Sequence, residues 1–286
     1  MTLLNHELEI ATEVVQRSGA IALEIQAGGD DSLQTSDKAN DQGPVTRADL
    51  AVEALIVAAL RTSFPNDAIL AEESASASQW RQHARVWMID PVDGTKDFAS
   101  GDTSWAIHVG LVIDGHPALG IVHEPGHDRL SWAIDHLDQR HAWCRHDTEG
   151  RVEALHGIGR CEQQWRLVTS KSHRSERLDA IMALLGITPE QTLRTASTGV
   201  KICMVARGVA EFYAHPTVGT KLWDSAAPQA ILHAAGGRLT DMRGAPLNYA
   251  GPVLGNDLGL LASGPGVDHD ALVDRLRPLA DTWFCR

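Results

Sequence analysis

Apolar residues recur with helical spacing at Leu4, Leu8, Ala11, Val15 and Ala22, which predicts an amphipathic helix over Leu3 to Ala27, stopped by Gly28-Gly29. A polar stretch from Asp30 to Pro44 then reads as a long loop, and loops of that length are often functional. A second amphipathic helix is predicted over Ala48 to Thr62, with Pro65 marking its end. Short apolar runs at Ala68 to Ala71 and Val86 to Ile89 predict strands that flank a Ser/Ala-rich loop, Ser74 to Ser78, and each strand delivers carboxylates at its C-terminal end. From Trp105 to His123 the pattern is strand, Asp114-Gly115, strand, a hairpin signal that implies an antiparallel sheet in the first half.

The sequence turns irregular and charged between His146 and Trp165, and a boundary there divides an N-terminal region, 1–155, from a C-terminal region, 156–286. Strand and helix then alternate: a strand at Arg166 to Thr169, helices at Arg174 to Leu185 and Val200 to Arg207, a strand at Ala210 to Ala214, and a helix at Ser225 to Ala235 ended by Gly236-Gly237.

Composition narrows the functional classes. The chain has 286 residues, enough to bury a full core in one or two domains, and its apolar and charged fractions, 43% and 22%, are those of an ordinary globular protein. No apolar run approaches the roughly 20 residues of a membrane span, and the N-terminus lacks a basic region followed by an apolar block, so the expected location is cytoplasmic. Peripheral membrane association is compatible with this reading. The four cysteines, at 144, 161, 203 and 285, have no metal-finger spacing and read as reduced thiols. A formal charge of −12 argues against nucleic-acid polymers. An anionic ligand would therefore need metal ions and local lysines.

The stretch Asp90-Pro91-Val92-Asp93-Gly94-Thr95 could supply metal ligands and a phosphate cradle in one loop. A turn constrained by Pro91 aims the carboxylates of Asp90 and Asp93 at one point and leaves the Val92 carbonyl as a further oxygen ligand. All-oxygen ligation selects a hard cation, magnesium first and manganese second. Gly94 and Thr95 would offer N–H groups to a phosphate at a helix start. Alone, the stretch reads better as an Asx turn followed by a helix cap. Glu72-Glu73, Asp49 and Asp224 add the carboxylates that two or three divalent ions require. In contrast, His123-Glu124-Pro125-Gly126-His127 matches a zinc-peptidase pattern that works only on a helix, and Pro125-Gly126 argues for a turn.

Taken in order, GPVTRAD, AEES, IDPVDGTKDF and LWDSAA resemble the inositol monophosphatase superfamily of metal-dependent, lithium-sensitive phosphatases, over Pro44 to Ala227 and, more weakly, nearly the whole chain. The resemblance implies an α/β (α+β) fold, a layered α-β-α-β-α sandwich of the sugar-phosphatase type. It implies two or three Mg2+ ions held by Glu72, Asp90, the Val92 carbonyl, Asp93 and Asp224, with Mn2+ as an alternative. It also implies a water oriented and activated by Thr95 with Asp49, Glu72 also serving catalysis, for in-line attack on a phosphate monoester without a phosphoenzyme. Glu73 is an outer partner, and Lys38 resembles the family's loop lysine.

Within the superfamily the chain is most similar to CysQ-type 3'(2'),5'-bisphosphate nucleotidases of sulfate assimilation. Lys96 after Thr95, Ser170-Lys171-Ser172-His173, Thr198-Gly199-Val200-Lys201 and Lys221 to Ala227 carry that likeness. It implies removal of the 3'-phosphate of 3'-phosphoadenosine 5'-phosphate, with substrate contacts at Val92, Asp93, Gly94, Thr95, His173, Thr198, Lys201 and Asp224. Two features depart from that pattern. His215 stands where these nucleotidases carry an arginine, and the loop Lys38 to Gly43 has a different spacing. An inositol-1-phosphatase or broader sugar phosphatase is the alternative, and a non-catalytic phosphometabolite-binding relative is the reading from another class. The expected partners are a small anionic phosphate ester and at most a second copy of the chain, giving a monomer or homodimer.

Overall fold

The N-terminal periodicity becomes α1 (Asn5–Ala27), which ends on Gly28 and buries Ala11, Val14, Val15, Ala22 and Ile25 along one stripe. The computed structural model describes residues 4–37, 44–75, 80–146, 148–155, 165–171 and 175–285. The expected loop after α1 holds more order than its composition suggests: a single helical turn, α2 (Asp30–Leu33), and two short strands, β1 (Ser36–Asp37) and β2 (Pro44–Val45), paired antiparallel. Then follow α3 (Arg47–Ser63), β3 (Ala68–Ala71), β4 (Arg85–Asp93), α4 (Thr95–Ala99), β5 (Ala106–Ile113), β6 (His116–Glu124), β7 (Arg129–His136), β8 (Gln139–His146) and β9 (Arg151–Ala154). The irregular stretch after His146 thus contributes an edge strand before residue 155.

Strands β3 to β9 lie side by side in chain order in one seven-stranded sheet, antiparallel except for the β3/β4 pair. The hairpin between β5 and β6 turns at Asp114 and Gly115, with φ +49° and +78°, as a tight two-residue turn requires. The second half supplies β10 (Leu167–Ser170), α5 (Glu176–Leu185), β11 (Thr192–Thr195), α6 (Thr198–Ala206), β12 (Phe212–His215), α7 (Leu222–Ala234), β13 (Arg238–Thr240), β14 (Leu260–Ser263) and α8 (His269–Trp283). Its strands form a five-stranded mixed sheet in the order β11-β10-β12-β14-β13. The α7 helix starts three residues before the expected Ser225, because Asp224 caps it from its first turn.

The result is five layers. Helices α1 and α3 cover one face of the large sheet, α6 and α7 fill the space between the sheets, and α5 and α8 cover the outer face of the small one. Ten of the thirteen residues of α7 are buried, as expected for a helix with sheets on two sides. We retain 1–155 and 156–286 as a proposed division, since the large sheet ends at Ala154 and the small one begins at Leu167.

Two glycines set how closely α7 approaches the large sheet. A Cβ on Gly120 would lie 2.1 Å from the Ala227 carbonyl oxygen, and one on Gly110 2.9 Å from the Ala227 nitrogen. Both obstacles are backbone. Gly120→Val is therefore expected to destabilise by about 1–3 kcal/mol or more and to displace the helix that carries Asp224. A urea midpoint equal to that of the wild type would contradict this packing.

A buried histidine gives the fold an acid limit. His269 Nδ1 lies 2.7 Å from the Ser263 hydroxyl and Nε2 2.9 Å from that of Thr240. The Thr240 hydroxyl is already donated to the Asp241 carbonyl. Nε2–H must then donate to Thr240, and Nδ1 accepts from Ser263. Burial, reinforced by Arg238, pushes His269 down to about 4. The unfolded chain takes up this proton near pH 6.5, so between about 6.5 and 4 it binds more protons and stability falls as the pH falls. A loss of about 2 kcal/mol between pH 7.5 and 5 is expected from this residue. Urea melts of the wild type and His269→Gln at both pH values should show a smaller pH effect in the variant; identical effects would rule the residue out.

Candidate active site

Strand β4 does not stop at Asp90 as its apolar run suggests. It continues through Pro91 and Val92 to Asp93, with one extra residue against β5, since Asp90 faces His108 and Asp93 faces Ala106. The bulge accounts for two things at once. It accommodates a proline that a regular ladder would reject, and it brings Asp90 and Asp93, three residues apart, toward the same side of the sheet. Gly94 follows with φ +98°, a left-handed conformation that suits glycine, and turns the chain into α4.

Neighbouring elements deliver the other carboxylates. Glu72 leaves β3 with its N–H donated to the Ile89 carbonyl, which extends the parallel pairing alongside β4. The next N–H, of Glu73, donates to Glu53 of α3 at 2.7 Å and fixes that exit. Asp224 sits in the first turn of α7, where it accepts the N–H of Lys221. Asp49 occupies the matching place in α3; its Oδ2 accepts the N–H of Thr46 at 2.8 Å and the Thr46 hydroxyl at 2.6 Å. Both aspartates were readable as helix caps, and both do cap. Capping also fixes where each carboxylate points.

A cavity of about 320 Å3 opens between these elements. Glu72, Asp93, Gly94, Thr95, Lys96 and Asp224 line one part of it; Thr198, Lys201 and His215 line another. Asp90 lies beneath, 1% exposed. The Val92 carbonyl accepts from the Thr95 hydroxyl at 2.9 Å, and Asp49 Oδ1 lies 3.0 Å from the same hydroxyl. Lys171 is half-exposed and pairs with Asp102 at 2.8 Å. Trp223 is buried in the core. The expected contacts Lys38 and His173 lie outside the described residues.

Electrostatics mark the cavity as a cation site. Burial, then Glu72, Asp93 and Asp224, raise Asp90 well above the usual carboxylate range; burial and Asp93 raise Asp224. Lys201, 2% exposed with its ammonium over the Tyr213 ring, is pushed down to about 8 by its own burial. Fully ionised, four carboxylates against this one buried ammonium leave three negative charges uncompensated. Oxygen donors with that excess fit two or three divalent cations of the magnesium type.

Asp93 is held by Ser197, which the sequence reading did not name, and by Gly199, which it quoted only within Thr198-Gly199-Val200-Lys201. Its Oδ2 accepts from the Ser197 hydroxyl at 2.6 Å and from the Gly199 N–H at 2.9 Å, and lies 3.3 Å from His108 Nε2. Among the described residues, donor atoms of Asp90, Asp93 and His108 come within 4.8 Å of one another. His108 is fully buried, and that burial lowers its pKa, so it is neutral. A histidine within the apolar run of β5 was the available signal; Ser197 reads only as the α6 cap that it also is. In the zinc-peptidase look-alike, His123 and Glu124 end β6 and a short 3-10 turn, Pro125–His127, follows, so no α-helix forms there. Glu124 instead pairs with Arg129 and Arg207.

Comparison with known proteins agrees with this geometry. The profile of the inositol monophosphatase family matches residues 4–279. The 3'(2'),5'-bisphosphate nucleotidase CysQ of Escherichia coli (strain K12) is 34% identical over 211 residues, covering 73% of this chain and 80% of that protein. The histidinol-phosphatase of Mycobacterium tuberculosis is 31% identical over 245 residues, covering 82% and 85%. The structure of an inositol monophosphatase from Thermotoga maritima superposes with a TM-score of 0.78 at 21% identity, covering 97% of this chain and 99% of that one, and so shares the fold. On a family match across nearly its whole length, the chain belongs to the inositol monophosphatase family of phosphate-monoester hydrolases.

Proposed function

We propose that the chain is a magnesium-dependent 3'(2'),5'-bisphosphate nucleotidase that removes the 3'-phosphate of 3'-phosphoadenosine 5'-phosphate, leaving AMP and phosphate. The single observation that carries the substrate is Lys201, a buried ammonium in the wall of the same cavity as the acidic cluster, in a chain 34% identical to a bisphosphate nucleotidase. A substrate with two phosphates needs such a cation for the one that is not cleaved. Lys96 at the rim can add a second, and Thr198 a hydroxyl.

In this reading Glu72, Asp90, Asp93, Asp224 and the Val92 carbonyl hold the metal ions. Bound Mg2+ supplies a Lewis acid that polarises the phosphoryl oxygens and offsets charge in the transition state. The chain's own residues handle the proton. The Thr95 hydroxyl has one hydrogen and two acceptors, Asp49 Oδ1 and the Val92 carbonyl, so its lone pairs remain available to a water in the cavity. As that water attacks, Thr95 Oγ accepts its proton and passes its own to Asp49 Oδ1. Thr46 keeps Asp49 oriented throughout by occupying Oδ2. Ser197 and Gly199 do the same for Asp93 by occupying its Oδ2.

The test is phosphate release measured in parallel from 3'-phosphoadenosine 5'-phosphate, inositol 1-phosphate, fructose 1,6-bisphosphate and histidinol phosphate. The bisphosphate nucleotide should have the highest kcat/KM, and Lys201→Met should remove most of that advantage. Histidinol phosphate is included because a histidinol-phosphatase is 31% identical to this chain. Preference for any monophosphate would overturn the substrate and leave the reaction class standing.

A further inference from the structure

Helix α6 presents two faces to two cavities. Thr198 and Lys201 line the acidic one, while Val200, Met204 and Arg207 line a second cleft of about 450 Å3. This second cleft has the opposite character. Arg129, Arg151, Lys171, Arg194 and Arg207 line it, against the carboxylates of Glu124 and Glu153. In a chain of net charge −12, five cations around one cleft are a marked local reversal.

Ion pairing accounts for only part of this charge. Lys171 is paired with Asp102 at 2.8 Å, and Arg151 lies between Glu149 and Glu153 at 3.3 and 3.7 Å. Glu124, fully buried, is shared by two guanidiniums, Arg129 and Arg207, each at 2.9 Å. Arg129 Nε is buried and has no hydrogen-bond partner among the described residues. Arg194 is exposed at the cleft and, among the described residues, has no ion pair. The Arg129, Arg207 and Glu124 group keeps one positive charge and Arg194 a second, while Arg151 between Glu149 and Glu153 leaves one negative charge, so the cleft stays net positive. Together with the unused Nε donor, this net positive charge asks for an anionic acceptor with several oxygens.

We propose that this cleft is an anion site, separate from the phosphatase centre, that takes a small molecule bearing a phosphate or sulfate group. Its volume lies within the range of small-molecule pockets and exceeds what a bare oxyanion fills. A metal is the competing occupant, because Cys144, His146 and Glu153 bring sulfur, nitrogen and oxygen donors within 4.8 Å of one another. The surroundings oppose it. Arg151 stands 3.7 Å from Glu153, and Arg129 and Arg207 act on Cys144, whose thiol is raised by burial.

Calorimetric titration of the full chain tests this in chelator, where the uncompensated carboxylates of the acidic cavity disfavour anions. Sodium sulfate, sodium phosphate and, at matched ionic strength, sodium chloride are the probes. Saturable binding of sulfate, phosphate or both, without chloride binding, is expected, and the responding probe identifies the group recognised. Arg194→Glu and Arg129→Gln should each weaken it about tenfold, while Lys201→Met leaves it unchanged. Absence of saturable binding would overturn the proposal. So would binding lost in Lys201→Met but kept in Arg194→Glu, or, in a separate zinc titration without chelator, tight zinc binding abolished by Cys144→Ser.

Discussion

Asp93→Asn is expected to lower turnover by roughly three orders of magnitude or more, the scale on which loss of a preorganised electrostatic group acts. The substitution keeps the volume, and an amide oxygen can still accept from Ser197 and Gly199, so the fold should persist. What disappears is one of the four negative charges around the cavity. Because burial and the neighbouring carboxylates hold Asp90 and Asp224 above the usual carboxylate range, neither can replace it. Magnesium titrated calorimetrically should bind more weakly, and the urea midpoint should move little. Wild-type turnover in Asp93→Asn would show that Asp93 is not a ligand.

Thr95→Ala should lower kcat by about 10²–10⁴-fold, the usual contribution of a positioned proton-transfer group, with a small effect on KM. The hydroxyl lines the cavity side and reaches Asp49, whose other oxygen is occupied by Thr46. Thr95→Ser should therefore recover most of the rate. Asp49→Asn should resemble Thr95→Ala, and the double variant should be little worse than either single one, because the two residues act in series. Full additivity of the two losses would separate them and contradict the relay.

Much of the cavity could be read from the sequence because its carboxylates sit where elements end or begin. Glu72 follows an apolar run, and Asp49 and Asp224 begin helical ones. What escaped notice depends on register and on contacts distant in the chain. The bulge that carries β4 past Pro91 is visible only against β5, since residues 90–93 read as a turn by local preference. Ser197 is a helix cap by local rules, and only the packing of α6 beside β4 makes it a support for Asp93. Gly110 and Gly120 look like weak points in strands until α7 is placed on them. Strands β7 and β8 passed unread because polar residues interrupt their alternation, and α8 because Pro278 falls inside it. On the substrate side, Lys201 and His215 do line the cavity, because α6 and β12 bring them beside the acidic cluster.

The central claim is that the acidic cavity works by holding magnesium. The most direct measurement is phosphate release from 3'-phosphoadenosine 5'-phosphate by one preparation in magnesium, then in excess chelator, then with magnesium restored. Release that stops with chelator and returns with magnesium is the predicted result. Release that continues undiminished in chelator would contradict the claim.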